Sequence, residues 1–288
     1  MYRRIQGIRR LTNSSNVNEI PKSIPELNIL KQRISQGENI TIEEYFNSNH
    51  FKFKNETDIT AKLNYLKQSI HLLNSNKPLI CIDCEAFEKN QKYITEIGIS
   101  ILNQIQKTTI VPQIKTYHII IEDHLKKRNK LYVPDYKYNF LNGKSIIMSE
   151  TNTKEFLKKF LEKYLINQHG VLIGHNLSSE VKFFKKLGVE LNSNKSIDTL
   201  ILHQLSRSNG GSLWAILRSL NIPYSFLHNA GNDAYYTMLI ALNLLDPIIR
   251  INYDLDIYQI SKYSGKGQHH HKVSVEKCNN VDKLIEMI

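Results

Sequence analysis

Residues 79–86 read LICIDCEA, an apolar run suited to the middle of a sheet except that Asp83 and Glu85 sit near its end. In a strand, residues two apart share a face, so both carboxylates project side by side from an otherwise buried element. Like charges so placed repel, and burying either is costly without compensation. A divalent cation would compensate them, because hard cations take carboxylate oxygens. A surface hairpin with wet carboxylates is the other arrangement that these residues alone allow.

Two more β-like runs follow, YITEIGISIL (93–102) and TYHIIIE (116–122), the first joined to LICIDCEAF by a short polar loop around Lys89 to Lys92. A polar segment, 123–150, separates them from an amphipathic helix, TKEFLKKFLEKYLINQ, and a short buried strand, VLIGHN. Then come a helix, SSEVKFFKKLG, the segment SIDTLILHQL, a helix, SLWAILRSL, and a long helix starting near NAGNDAYYTMLIALNLL. Three strands followed by alternating helices and strands imply an α/β fold, a mixed sheet with helices on both sides.

Residues 21–77 read as a polar helical extension packed on this domain, with helical apolar spacing in SIPELNILKQRI and DITAKLNYLKQSIHLLN. The tail from 248 carries one alternating run, INYDLDIYQI, and a polar stretch in which His269, His270 and His271 are adjacent and poorly placed to chelate. Residues 1–20 hold Arg3, Arg4, Arg9 and Arg10 and no acid before Glu19, with Tyr2, Ile5, Ile8 and Leu11 on a loose helical face. That composition fits a mitochondrial transit peptide. It equally fits a basic tail or nucleic-acid arm on a cytoplasmic or nuclear protein.

No apolar run reaches the roughly 18–20 residues that a membrane span needs, and no membrane partner is expected. The 38 Lys and Arg against 27 Asp and Glu give a net charge of +11, which favours polyanionic partners. Cys81, Cys84 and Cys278 give no disulfide framework. On a strand, positions three apart face opposite ways, so Cys81 and Cys84 cannot converge on one ion and read as core residues.

Two further acids sit where a core segment meets a helix: Glu180 in GHNLSSEVKFF and Asp233 in LHNAGNDAYYT, with His228 five residues before Asp233. Singly, an acid in a first turn is commonly a cap or dipole partner. The ordered set D-x-E, H-N-x-x-x-acid, H-x-x-x-x-D resembles the DEDDh family of 3′–5′ exonucleases on a ribonuclease H-like fold. Thr95 to Gly98, Asp198-Thr199, Ala230, Ala234 and Thr237 agree with it, and the resemblance covers about 78–247. The stretches HIIIEDHLKKRN, VPDYKYNFLNGKS and LHNAGNDAYYT further resemble a mostly fungal branch linked by name to full DEAD-box helicase activity.

The resemblance implies a five-stranded mixed sheet and two Mg²⁺ or Mn²⁺ ions held by Asp83, Glu85, Glu180 and Asp233. His228 would be the base, and single-stranded RNA or DNA with a free 3′ end would be cut to nucleoside 5′-monophosphates. It places Ala86 and Phe87 at the terminal nucleotide and Asn176 as a brace, with an RNA helicase as a partner. Glu180 departs from the family pattern, which has Asp there. One more methylene either replaces a bridging water with direct ligation or pushes the ion off position.

HLKKRNKLYVPDYKY sets Lys126, Lys127, Arg128 and Lys130 beside Tyr132, Tyr136 and Tyr138. Cations suit a phosphate backbone and tyrosines suit unpaired bases; a solvated loop with core-anchoring tyrosines has the same composition. Two other functions fit the motifs. One is a catalytically weakened nucleic-acid-binding module or helicase adaptor, and the other is a hydrolase of dinucleotides or small phosphoesters.

Overall fold

The computed structural model describes residues 24–53, 58–103, 113–191 and 195–264. The three apolar runs form β1 (Leu79–Ala86), β2 (Ile94–Leu102) and β3 (Ile114–Ile121). Three short strands complete one sheet: β4 (Ser145–Met148), β5 (Val171–Gly174) and β6 (Ser196–Asp198). The order is β4-β3-β2-β1-β5-β6. β2 is antiparallel to both its neighbours, and β3–β4, β1–β5 and β5–β6 are parallel pairs. This is the mixed sheet expected, with six strands instead of five. The extra one, β4, lies inside the segment read as polar. It is four residues long at a sheet edge and exposes Ile146 and Ile147, so it carries no core-facing alternation.

Each face of the sheet buries its own cluster. Leu79, Cys81, Val171 and Ile173 pack with α7 (Leu213–Ser219) and α8 (Ala230–Leu244). Ile80, Ile82, Cys84, Ile97 and Ile99 pack with α4 (Glu150–Leu161) and α5 (Leu177–Lys186). The two cysteines therefore lie on opposite faces, both buried and free.

Upstream, α1 (Pro25–Ser35), α2 (Ile42–Asn47) and α3 (Ile59–Leu73) precede the sheet. They are tied to the far end of the chain by a fully buried polar knot. Asp256 accepts from Arg250 Nη2 at 2.6 Å and Tyr45 Oη at 2.7 Å, and pairs with His50 Nε2 at 2.8 Å. Arg250 stands on α9 (Pro247–Asn252), after α6 (Thr199–Gln204) and α8 in the chain. The alternating run INYDLDIYQI begins inside α9 and makes only single bridges afterwards, Ile257 to Lys52 and Gln259 to Arg207. Asp246, whose carboxylate takes the Ile248 and Ile249 N–H groups, and Pro247 start that helix. The proposed import segment 1–20, the triple histidine and Cys278 lie outside the described residues.

The closest approach between layers positions the functional end. A Cβ at Gly98 would stand 1.7 Å from the carbonyl oxygen of Ala230, the first residue of α8. Gly231 needs the same freedom, because a Cβ there would meet Phe140 and His118 within 2.8 Å. Gly98 is the cross-strand partner of Asp83, so the start of α8 rests beside that carboxylate. Gly98→Ala is expected to cost upwards of about 1–3 kcal/mol through overpacking against backbone, seen as a lower urea midpoint. An unchanged midpoint would show that α8 can slide.

Candidate active site

The C-terminal half of β1 runs past the end of β5, and the chain leaving β5 turns there into α5. On one face of β1, Asp83 stands opposite Gly98 and Glu85 opposite Glu96. Glu180 comes in from the first turn of α5 and Asp233 from the first turn of α8. The turn into α5 is fixed by Asp198, whose carboxylate accepts the N–H groups of Asn176 (3.0 Å), Leu177 (2.9 Å) and Leu200 (2.9 Å). Asp198 is thus a structural pin. The turn into α8 is fixed by Asn229, which caps Asn232 N–H and donates to the Tyr136 and Lys137 carbonyls.

Three elements thereby bring the predicted carboxylates together. Single ligand atoms of Glu85, His228 and Asp233 all lie within 4.8 Å of one another. His228 Nδ1 is 3.5 Å from Glu85 Oε1, and the His228 backbone N–H donates to Asp233 Oδ2 at 2.8 Å. His228 itself has φ +70°, a left-handed conformation that aims its ring at Glu85. Three oxygens, Asp83 Oδ2, Glu180 Oε2 and Asp233 Oδ1, are buried without a hydrogen-bond partner.

Such orphaned anionic atoms perturb one another. Burial, then the charges of Glu180, Asp233 and Glu85, pushes the Asp83 carboxyl well above its ordinary range. Burial, with Glu85 as a further contributor, pushes Glu180 from 4.5 and Asp233 from 3.8, each to about 8. Burial works against protonating His228, yet Glu85 and Asp233 outweigh it and raise that imidazole. A buried all-oxygen donor set short of positive charge fits a divalent cation. Any ion bound there would also remove the pull that raises His228.

Behind the acids lies a layer of which sequence reading singled out only Glu96, within Thr95 to Gly98, and not its partners. Glu96 Oε2 pairs with His118 Nε2 at 3.0 Å, and His118 Nδ1 meets Ser145 Oγ at 2.8 Å. The Ala230 N–H reaches the same Glu96 oxygen at 3.4 Å, so Glu96 also holds the start of α8. Lys137 is buried nearby with its Nζ on the Lys127 carbonyl. The sequence shows a histidine within TYHIIIE, but nothing there names Glu96 as its partner.

The predicted substrate contacts are distributed around this centre. Ala86 and Phe87 are half-buried at the end of β1, and the Phe87 N–H is bonded to Tyr93 O at 2.9 Å. Asn176 has φ +63°, and its side chain engages Ser178 and Ser179 within the first turn of α5. Lys127 lies over the Tyr93 ring at 4.2 Å, while Arg128 pairs with Asp135 and covers Tyr138. Lys126 and Tyr132 are exposed.

Comparison with known proteins identifies the family. The DEDDh model described as DNA polymerase III subunit epsilon-like, C-terminal domain, matches residues 78–244. The chain belongs to the DEDDh exonuclease family. Sequence relatives include the Saccharomyces cerevisiae "Uncharacterized protein YDR514C", 31% identical over 80% of this chain and 53% of the relative. The "Good for full DBP5 activity protein 2" of the same yeast is 35% identical over 63% of this chain and 38% of its own length. The "Uncharacterized nucleolar protein C2C4.08" of Schizosaccharomyces pombe is 36% identical over 57% of this chain and 67% of its own. The chain thus spans about half or less of the two budding-yeast relatives. Among solved structures, the nuclease domain of 3′hExo, a DEDDh family member, bound to rAMP superposes at a TM-score of 0.42. It is 13% identical over 63% of this chain and 95% of that one. A superposition this loose adds nothing to the topology. DEDDh exonucleases generally use divalent metal ions.

The carboxylates give a test by linkage. A folded-state pKa raised to about 8 means stability that is fully present below about pH 4 and lost as pH rises through about 8. Metal-free protein should therefore lose more melting temperature between pH 6 and pH 8 than Asp233→Asn does. Mn²⁺ should raise the melting temperature more at pH 8 than at pH 6, because fewer protons compete for the oxygens. Equal increments at both pH values in thermal melts would count against the cluster as a cation site.

Proposed function

We propose that this chain is a divalent-metal-dependent 3′–5′ exonuclease acting on single-stranded RNA or DNA and releasing nucleoside 5′-monophosphates. The observation that carries the reading is the set of unpartnered buried oxygens on Asp83, Glu180 and Asp233 beside the Glu85–His228 pair. In this reading Asp83, Glu85, Glu180 and Asp233 would hold two Mg²⁺ or Mn²⁺ ions, which supply charge stabilisation for the attacking and leaving oxygens of a phosphodiester. His228 takes the proton from the attacking water, and the Asp233 carboxylate accepts the His228 backbone N–H and holds it in place. Glu96, fixed by His118, sets where α8 begins and so where Asp233 stands. Ala86 and Phe87 receive the last nucleotide at the end of β1, with Asn176 bracing the α5 side.

A second reading has two observations in its favour. The name of one budding-yeast relative ties that protein to full activity of another, and Glu180 stands where the family pattern has Asp. A nuclease-like module that binds nucleic acid and serves an RNA helicase as adaptor would fit both. The location follows neither reading. A mitochondrial address for residues 1–20 is a separate proposal, and a diffuse reporter carrying residues 1–30 would reject it.

The deciding assay uses 5′-labelled single-stranded RNA and DNA with Mg²⁺ or Mn²⁺. Wild type should give a ladder shortening from the 3′ end, and Asp83→Asn should lose it by about a hundredfold or more, since it removes a shared ligand. Glu180→Asp should keep activity within about tenfold if both acids can serve. Substrate left intact but bound by every variant would reject the exonuclease and favour the adaptor. Turnover confined to dinucleotides would instead favour the small-phosphoester hydrolase.

A further inference from the structure

The loop after β3 is an unusual piece of surface. Its tip, Leu131 and Tyr132, exposes two large apolar side chains, 64% and 78% accessible. Loops that display such groups are commonly mobile, yet this one is tightly fastened. Both carboxylate oxygens of Glu88 are taken by backbone N–H groups of the tip: Lys130 at 3.1 Å, Leu131 at 2.8 Å and Tyr132 at 2.9 Å. Successive N–H groups of this kind form an anion-binding nest, and here the chain fills it with its own acid.

Asn129 adds a second fastening. It accepts from the Glu88 N–H at 2.9 Å and donates to the Ala86 carbonyl at 3.0 Å. Ala86 follows Glu85 directly, so the tip is held one residue beyond the carboxylate cluster. The same loop shares a narrow cleft with Glu96 and His228. Charge completes the pattern. Glu88 is occupied by amides and Asp135 by Arg128. The exposed Lys126 and Lys130 side chains form no ion pair among the described residues, and exposed Lys89 and Lys92 lie on the loop joining β1 to β2.

We propose that Tyr132, carried on the Glu88-fastened tip, is a stacking platform for an unpaired nucleobase of a nucleic-acid strand whose 3′ end enters the site. This deepens the proposed function and rests on its nucleic-acid substrate. An exposed aromatic face held rigidly and flanked by cations suits a base and its phosphates, because every base offers a π-face and the backbone is anionic. Rigid mounting lowers the ordering cost of binding. Glu88 and Asn129 are positioning residues for it, and the phosphate contacts belong to Lys126 and Lys130.

The test measures binding by the full chain in Mg²⁺, using 5′-fluorescein uridine and thymidine 12-mers with phosphorothioate linkages to block turnover. Tyr132→Ala should weaken binding about tenfold, while Tyr132→Phe and Tyr132→Trp stay within about twofold of wild type. Glu88→Ala separates stacking from charge. Removing an acid near a polyanion favours binding electrostatically, but the platform predicts that Glu88→Ala weakens it about as much as Tyr132→Ala. Tighter binding by Glu88→Ala, or equal affinity of Tyr132→Ala and wild type, would overturn the proposal. Wild type that binds neither 12-mer would also overturn it and leave the tip to a protein partner. Binding that depends on Tyr132 without 3′ shortening of unmodified strands would uphold the platform and reject the exonuclease.

Discussion

The site depends on the contact between two backbones, the crossing of the α8 start over Gly98 of β2. Asp83 and Asp233 are 150 positions apart in sequence and are brought to one place only because residue 98 has no side chain. The Ala230 carbonyl occupies the space where a Cβ would be, and Gly231 lets Phe140 and His118 close over the other side. From that contact the helix carries Asp233 into the cluster and sends a buried face, Ala234, Met238 and Ala241, down the sheet. The same contact brings the Ala230 N–H to Glu96. Packing and polar geometry at this crossing thus both depend on the missing side chains of Gly98 and Gly231.

The cluster so assembled works against folding in the metal-free chain. Burying several carboxylates together is unfavourable, and the raised protonation of Asp83, Glu180 and Asp233 expresses that cost. Stability has to come from elsewhere, and the structure shows where. Isoleucine-rich strands bury both faces of the sheet. The Arg250–Asp256 pair, closed by Tyr45 and His50, joins the upstream helices to the segment after α9. In that knot every charge has a partner, and removing one would strand a buried charge at a cost of about 3–5 kcal/mol.

Much of this could be read from the sequence, for identifiable reasons. β1, β2 and β3 are apolar runs, and a two-residue period is enough to place Asp83 and Glu85 on one face. The helices α4, α5 and α8 follow from their spacing and their polar first turns. β4 could not be read, because an exposed four-residue edge strand lacks a core pattern and owes its existence to pairing with β3. The layer behind the acids was hidden for a different reason. Glu96 and His118 are 22 positions apart and meet only as diagonal neighbours on the β2–β3 pair, where His118 stands opposite Gly98. The Glu88–Asn129 fastening spans 41 positions and joins two stretches that each look like ordinary polar loop.

Glu180 gathers these considerations. On an exposed first turn, a glutamate with no task would swing into water, where its charge is solvated at no cost. Glu180 is instead only 5% exposed and leaves Oε2 without a partner, as Asp83 and Asp233 leave one oxygen each. Its longer arm reaches inward, toward the charges that raise its own pKa. A buried ionisable group held against repulsion persists where a compensating charge is there to bind, or where neighbours over-determine its position. Cys84 bonds one side of this carboxyl and pulls its pKa down, but that falls short of offsetting burial, and Oε2 stays without a partner. The inward Glu180 therefore supports a cation at this centre more than it supports a vestigial one.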